Sequence, residues 1–286
     1  MKLAIIGGDA RQKHCAKLLH ERGHEIRLCS RGEDAPRGLF LTDRPEEAVQ
    51  GADAVLLPIP VSRGKDLISG TEITPLELLS MLSAGTHLLG GNLSASVTAA
   101  ARRLGIVTHD YLELESFVLR NAYLTAQAAL GLLLTEPCVC LYGATVAVIG
   151  FGRIAKFLSR MLVSLGAEVT VFARKPYDRA MASLVGMKAE PIEGISESKA
   201  LFGARLIVNT APARLLRPEA LSALAPGTLL LELASGADNL PLPSKESGVR
   251  LLSAQGLPGK YFPLSAGEIV ADATEEFLSR SQNREG

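Results

Sequence analysis

The chain has 286 residues, 47% of them hydrophobic and 21% charged, enough to build two ordinary domains with a core in each. Its 30 basic residues balance its 30 acidic ones, which excludes charge-driven binding to nucleic acid or to an anionic membrane surface. No apolar run approaches the roughly 20 residues of a membrane span, and the opening MKLAIIGGD is too short for a signal peptide and reads as a first strand, so a cytoplasmic protein is expected.

Short β-rich runs alternate with helical patterns from end to end, which predicts parallel α/β architecture. In the first half, strands are expected at 2–8, 25–30, 54–60, 86–92 and 106–111. Helices over 11–23, 74–85 and 94–105 lie between them and stop on glycine. Residues 1–111 thus read as a doubly wound domain of five strands. From 112 to 137 the pattern becomes one long connecting helix closed by Pro137. A second α/β set fills 138–264, with strands at 145–150, 168–173, near Met187, and at 205–210, 228–234 and 249–254. In the tail, Ser265 and Glu268 have capping-box spacing, and Ile269, Val270, Ala273, Phe277 and Leu278 recur at helical spacing. Residues 265–283 are expected to complete the first domain. The fold class is therefore α/β: two doubly wound, Rossmann-like domains joined by a long helix, with a C-terminal helix returning to the first.

Four cysteines (15, 29, 138 and 140) do not suggest a disulfide framework in a chain this long. Cys138 and Cys140 lack the second ligand pair that a zinc site needs, so no metal is expected.

The second set begins as a dinucleotide-binding unit. Gly150, Gly152 and Ala155 form G-x-G-x-x-A after a β-branched strand: the first glycine permits the tight turn, the second a close approach to pyrophosphate, and the small third residue close helix–strand packing. Arg153 and Ile154 open the next helix, whose free amides and positive dipole end suit phosphate. Behind them Phe157, Leu158, Met161, Leu162 and Leu165 continue one apolar stripe. Arg174 closes the second strand, where an NAD site usually carries an acid for the ribose hydroxyls. A guanidinium there, with Lys175 beside it, complements a 2′-phosphate instead, so NADP is favoured over NAD, with a plain basic turn as the alternative. Asn209, Thr210, Ala211 and Pro212 follow the fourth strand of this set on the carboxyl edge and are candidates for the nicotinamide end, as is the run from Leu233 after the next strand; either can also be an ordinary turn.

The loop at Gly7, Gly8 and Asp9 imitates a phosphate loop but lacks its third glycine, and Asp9 would set negative charge beside a pyrophosphate. The carboxyl edge of the first sheet is expected to hold a small substrate instead. Arg11 and Arg63 suit bidentate capture of a carboxylate, with Asn92, His109 and Asp110 on the same edge; for each arginine the alternative is a surface position. Glu113, Arg120 and Gln127 form a polar stripe that lines a site or is simply a wet helix face. All five histidines precede the second set, which disfavours a hydroxy-acid dehydrogenase whose catalytic histidine follows the last strands of that domain.

The opening IIGGDARQ, the mid-chain VAVIGFGRIA, VNTAPA, LELAS and GLPGKYFPLSAGEI occur in this order over nearly the whole chain. Together they resemble the dipicolinate synthase A subunits of spore-forming bacteria. The resemblance implies a substrate-type N-terminal domain, a C-terminal NAD(P) domain and a partner, a smaller flavoprotein-like B subunit, with room for self-association. It implies oxidation of a cyclic product of dihydrodipicolinate synthase to pyridine-2,6-dicarboxylate, in the mother-cell cytoplasm during sporulation. A substrate with two carboxylates needs two cationic clamps, for which Arg11, Arg63 and Lys260 are candidates, and Asp9 and Glu113 are candidates for the base. Three stretches depart from the family pattern: Thr125 to Ala128 where T-x-E-G is expected, Gly236 to Asn239 in place of Pro-Gly-Gly, and Lys260-Tyr261. The alternatives are another two-domain NADP-dependent dehydrogenase of an amino or hydroxy acid, and a cofactor-binding subunit inactive without its partner.

Overall fold

A computed structural model describes residues 1–30, 38–62, 66–136, 139–234 and 239–285, with side chains through 281. The chain divides into two compact units, Met1–Asn121 with Pro258–Gly286, and Ala122–Leu257.

The first unit runs β1 (Lys2–Ile6), α1 (Ala10–Glu21), β2 (Glu25–Cys29), β3 (Phe40–Thr42), α2 (Pro45–Val49), β4 (Ala54–Leu56), α3 (Pro75–Leu79), β5 (His87–Gly90), α4 (Ala95–Arg103) and β6 (Val107–Asp110). A 3-10 turn, Tyr111–Glu113, leads into α5 (Glu115–Thr135), within which the chain passes to the second unit. All neighbouring strands are parallel, in the order β3-β2-β1-β4-β5-β6. Leu3, Ala4, Ile5 and Ile6 are each fully buried. A parallel strand covered on both faces needs such a continuous apolar run, and KLAII supplies it.

The second unit repeats the plan with β7 (Thr145–Ile149), α6 (Arg153–Ser164), β8 (Glu168–Ala173), α7 (Pro176–Leu184), β9 (Lys188–Pro191), α8 (Lys199–Phe202), β10 (Leu206–Asn209), α9 (Pro218–Ser222), β11 (Leu229–Glu232) and β12 (Arg250–Ser253). Its order, β12-β11-β10-β7-β8-β9, is again all parallel. Two doubly wound sheets of six strands therefore stand where the sequence predicts two such domains. The chain then enters α10 (Leu257–Tyr261) and α11 (Pro263–Glu285), which from Pro258 onward belong to the first unit.

Two expectations are corrected. The first sheet has six strands rather than five, because the three-residue edge strand β3 is too short to show a period. Helix α11 starts at Pro263, so Ser265 and Glu268 lie inside it and form no capping box; proline occupies the opening position, where a missing N–H leaves nothing unsatisfied. Helix α5, 21 residues with a mean hydropathy of 1.3, is by length and composition apolar enough to cross a membrane, although polar residues such as Gln127 interrupt it. In the fold, 44% of its most apolar stretch is buried, and Ala122, Ala126, Ala129 and Leu133 form a buried stripe at helical spacing.

Helix α11 closes the first unit by lying backbone to backbone on α1. A Cβ at Gly267 would stand 2.7 Å from the Arg11 carbonyl oxygen and 3.1 Å from the Cys15 nitrogen. The fully buried Thr274 donates to the Val270 carbonyl (2.8 Å), so its 2.9 Å contact with the Tyr111 hydroxyl has the tyrosine donating. At the rim, Arg22 reaches Asp272 (2.8 Å) and Glu275 (2.5 Å), and Arg120 reaches Asp272 (2.6 Å). Burial alone would raise the Asp272 carboxyl, but the two guanidiniums outweigh it and hold the group below the usual carboxylate range.

Gly267→Ala is expected to destabilise the protein by about 1–3 kcal/mol, because the backbone it strikes cannot yield as a flexible side chain would. Gly131→Ala in α5, where a Cβ meets nothing within 4 Å, is the control and should be neutral or stabilising by about 0.5–1 kcal/mol. Urea unfolding of both variants checks the contrast.

Candidate functional site

In each sheet the strand order reverses between the first and fourth strands of the unit, and ligands of open α/β sheets lie at that reversal, beyond the carboxyl ends of the strands. Each unit has a cleft at this place. The first, of about 420 Å³, is lined by Gly8, Asp9 and Arg11 after β1, by Pro58 and Pro60 after β4, and by residues 67–72. The second, of about 390 Å³, is lined by Gly150, Phe151 and Gly152 after β7, Arg174 and Lys175 after β8, and residues 211–213 after β10.

The second cleft has the form of a dinucleotide site. Gly150 has φ +93°, and a Cβ there would meet the Thr210 hydroxyl oxygen at 2.7 Å, so only glycine lets the loop pass under the β10 turn. Gly152 is the N-cap of α6 and supplies no side-chain cap to the helix amides. A Cβ at Gly152 would meet nothing within 4 Å, so the start of this 12-residue helix faces open space. Arg153 and Ile154 form its first turn, and the buried Ala155 packs against the sheet. Arg174 is exposed at the end of β8, and Lys175 caps α7 through its backbone. Arg179 ties down this corner, donating to the carbonyls of Ala173 (2.9 Å) and Arg174 (2.8 Å). The cleft also holds an acid, Asp178, which pairs with Lys156 at 3.4 Å. Thr210 donates its hydroxyl to the Ile149 carbonyl (2.9 Å), and Ala211 and Pro212 continue the cleft wall. An uncapped helix start, a glycine cradle and cations at the β8 end are what a phosphorylated dinucleotide requires, and the residues present fit one.

The sequence reading placed Asn209 in this turn but missed Glu232, its register partner at the end of β11. Asn209 is 1% and Glu232 7% exposed. Asn209 Nδ2 donates to both carboxylate oxygens, at 3.1 and 2.9 Å, and the Ala234 N–H donates to Oε1 at 2.7 Å. Burial pushes the Glu232 carboxyl up from its ordinary value, against the pull of these donors. A charged residue closing the otherwise buried run LLLE was the available signal.

The first cleft is differently made. Asp9 caps α1 and shares a capping box with Gln12, whose Oε1 accepts the Asp9 N–H at 3.0 Å. The Gly8 N–H goes to the Ser69 carbonyl (2.7 Å) and the Gly7 N–H to the Cys29 carbonyl (2.9 Å). The Gly8 amide and the start of α1 are thus satisfied within the protein, while the Gly7 bond repeats the one from the Gly150 N–H to the Phe172 carbonyl and does not set the two loops apart. Arg11, 5% exposed, pairs with Asp9 through Nε and Nη2, both at 2.9 Å, and Nη2 also donates to the Ile59 carbonyl. Helix α10 presses on this pair: a Cβ at Gly259 would stand 2.7 Å from Arg11 Nε and 2.9 Å from Asp9 Oδ2. Arg11 therefore lines the cleft as half of an internal pair.

The other predicted residues are dispersed. Asn92 is exposed in a left-handed turn (φ +62°), its N–H held by Asp110 at 3.1 Å. Glu113 is exposed at the end of the 3-10 turn, and Lys260 is exposed on α10 beside Gly259. None of the three lines the first cleft. His109 stacks on His87, with ring centroids 5.3 Å apart. Arg63 and Cys138 lie outside the described residues. Among the described residues no group of three His, Cys, Asp or Glu side chains is placed to hold a metal ion.

Two stretches of the chain match known families. Residues 2–112 match the family of N-terminal domains of dipicolinate synthase A subunits, and residues 132–238 match the NAD-binding domain of D-isomer-specific 2-hydroxyacid dehydrogenases. The chain is 27% identical to the dipicolinate synthase A subunit of Bacillus subtilis, over all of this chain and 98% of that one. The crystal structure of the Bacillus subtilis protein superposes with a TM-score of 0.82 at 26% identity, covering 99% of this chain and 97% of that one. Its counterpart from Bacillus halodurans, also a dipicolinate synthase A subunit, shares the fold at a TM-score of 0.82 and 24% identity, over 96% and 97% of the two chains. The resemblance read from the sequence motifs thus holds over the full length, and the second unit carries a dehydrogenase-type nicotinamide-dinucleotide domain.

Asp9→Ala is expected to cost about 2–4 kcal/mol, combining a lost helix cap with a buried guanidinium left without its partner. Arg11→Met should cost less, since Asp9, with a side chain 39% exposed, stays hydrated and still caps α1. Thermal unfolding of the two variants side by side checks the order.

Proposed function

We propose that this chain, similar over its whole length to the A subunit of dipicolinate synthase, is an NADP-dependent oxidoreductase that converts a cyclic dihydrodipicolinate-type intermediate to dipicolinate during sporulation. That full-length similarity is the observation that carries the reading. The uncapped helix start at Gly152, with Arg174 and Lys175 at the end of β8, supports the choice of cofactor. The protein works in the cytoplasm of the mother cell together with its partner, a smaller, flavoprotein-like B subunit.

The oxidation removes a hydride and a proton from the ring, and the chemistry a nicotinamide would supply when bound here is acceptance of the hydride. The chain's own residues bind and orient. Gly150 and Gly152 admit the pyrophosphate to the α6 amides, with Arg153 and Ile154 on the same turn. Arg174 and Lys175 hold the 2′-phosphate, and Thr210, Ala211 and Pro212 bound the nicotinamide end. In the first unit, Arg11, Arg63, Asn92 and Lys260 are assigned to the two carboxylates of the substrate. Asp9 and Glu113 remain the candidates for the proton acceptor. Asp9 is the one of the two that lines the cleft, but its oxygens already accept from the Arg11 guanidinium and amide. Loss of the proton gives an aromatic ring, so the reaction does not depend on a strong base.

The match of residues 132–238 to hydroxy-acid dehydrogenases favours a second reading, a two-domain dehydrogenase of an amino or hydroxy acid. A third is a cofactor-bearing subunit inactive by itself. To separate them, the cyclic intermediate is generated in situ from pyruvate and aspartate semialdehyde with dihydrodipicolinate synthase. The protein is then added with NADP or NAD, with and without its partner. Reduced cofactor and dipicolinate appearing together, faster with NADP, is the expected result. Turnover only with the partner selects the third reading, and NADPH binding without dipicolinate in any combination selects the second. Arg174→Asp should reverse the NADP preference by about 10–100-fold in kcat/KM, the worth of one charge-assisted contact.

A further inference from the structure

Glu232 is the only buried acidic residue among the described residues, and no cationic side chain there faces it. We propose that Glu232 is a positioning residue for the bound dinucleotide, fixing the 210–213 turn against Gly150 through Asn209; the inference rests on the cofactor reading above.

The geometry reads outward from the carboxylate. The Ala211 N–H donates to Asn209 Oδ1 at 3.2 Å, which fixes the orientation of the amide and turns Nδ2 toward Glu232. The same Nδ2 reaches the Ala211 carbonyl at 3.2 Å, so Asn209 holds Ala211 by both its backbone groups. Glu232 in turn anchors Asn209 with two acceptor oxygens and takes the Ala234 N–H at the end of the adjacent strand. One carboxylate therefore ties together the backbone beyond β10 and β11. Ala211 packs directly on the glycine cradle: a Cβ at Gly150 would lie 3.4 Å from both the nitrogen and the Cβ of Ala211. Ala211, Pro212 and Ala213 line the same cleft as Arg174 and Lys175. A buried acid costs desolvation that an apolar residue of its size would not. What it secures is two acceptor oxygens shared between Asn209 and the Ala234 N–H.

Glu232→Gln tests this, because one acceptor becomes a donor aimed at a donor. The purified full-length chain is titrated with NADPH by fluorescence, and amide exchange is followed at Ala211 and Ala234. The expected result is about tenfold weaker NADPH binding with faster exchange at both amides. The double variant Glu232→Gln with Asn209→Asp swaps donor and acceptor. The introduced aspartate accepts from the Ala211 N–H and from the introduced glutamine amide, whose oxygen keeps the Ala234 N–H. The Ala211 carbonyl loses the donor it had from Asn209, so affinity should recover in part, to within about fourfold of the parent, a rescue that simple loss of a buried side chain does not give. Unchanged affinity and exchange in Glu232→Gln, or a folded double variant as weak as the single one, overturns the proposal. If Glu232→Gln does not fold, the double variant alone decides on the same criterion. If the parent chain binds neither NADPH nor NADH, the cofactor reading fails first and the proposal falls with it.

Discussion

A helix that begins at a glycine loop brings with it amides that need acceptors, and the two units of this chain differ in where those acceptors come from. At α1 they come from within. Asp9 caps the helix, Gln12 returns the bond to Asp9, and the Ser69 carbonyl takes the Gly8 N–H. At α6 the cap is a glycine with no side chain to offer and open space where a Cβ would stand. The same strand–glycine–helix unit is thus self-contained in one half and receptive in the other. By that contrast the start of α6 at Gly152 suits an anion, whereas the first cleft offers side chains rather than uncapped helix amides.

The first unit has a second constraint, which is distance. Its last two helices touch its first one through glycines. Gly259 sits on the Asp9–Arg11 pair and Gly267 on the backbone of α1, each too close for a β-carbon. Arg11 is consequently walled in from α10, from Asp9 and from the Ile59 carbonyl, and its charge is balanced before any ligand arrives. The run GLPGKYFPLSAGE, which reads in the sequence as a loose family signature, thus has a steric meaning. It is the stretch whose small residues let the end of the chain lie flat on its beginning.

Much of this is legible in the sequence, because parallel sheets announce themselves. Runs such as KLAII, TVAVI and EVTVFA are continuous in apolar character, and the glycine spacing after TVAVI marks the cofactor loop. Short elements are not legible: FLT, as β3, has three residues and no period, and the start of α11 falls at a serine by spacing because proline reads as an interruption rather than an opening. Side-chain partnerships are the larger gap. Asp9 reads as hostile to phosphate, but nothing in the letters tells that it faces Arg11, so Arg11 reads as an unpaired clamp. Glu232 is lost for the opposite reason. It sits at the end of a run so apolar that one acid looks like its boundary, and only the alignment of β10 with β11 sets it beside Asn209.

The first unit is also completed by a part of the chain that is made after the second unit. Its six strands and α1 are synthesised before the second unit, while α10 and α11 come after it. The second unit is contiguous and can fold as soon as it has emerged, in the order of synthesis. The seat on α1 that receives Gly267 stays wet until the C-terminal helices exist. A chain cut short after β12 would therefore carry a finished dinucleotide fold beside an unfinished first unit, with the apolar face of α1 left to quality control.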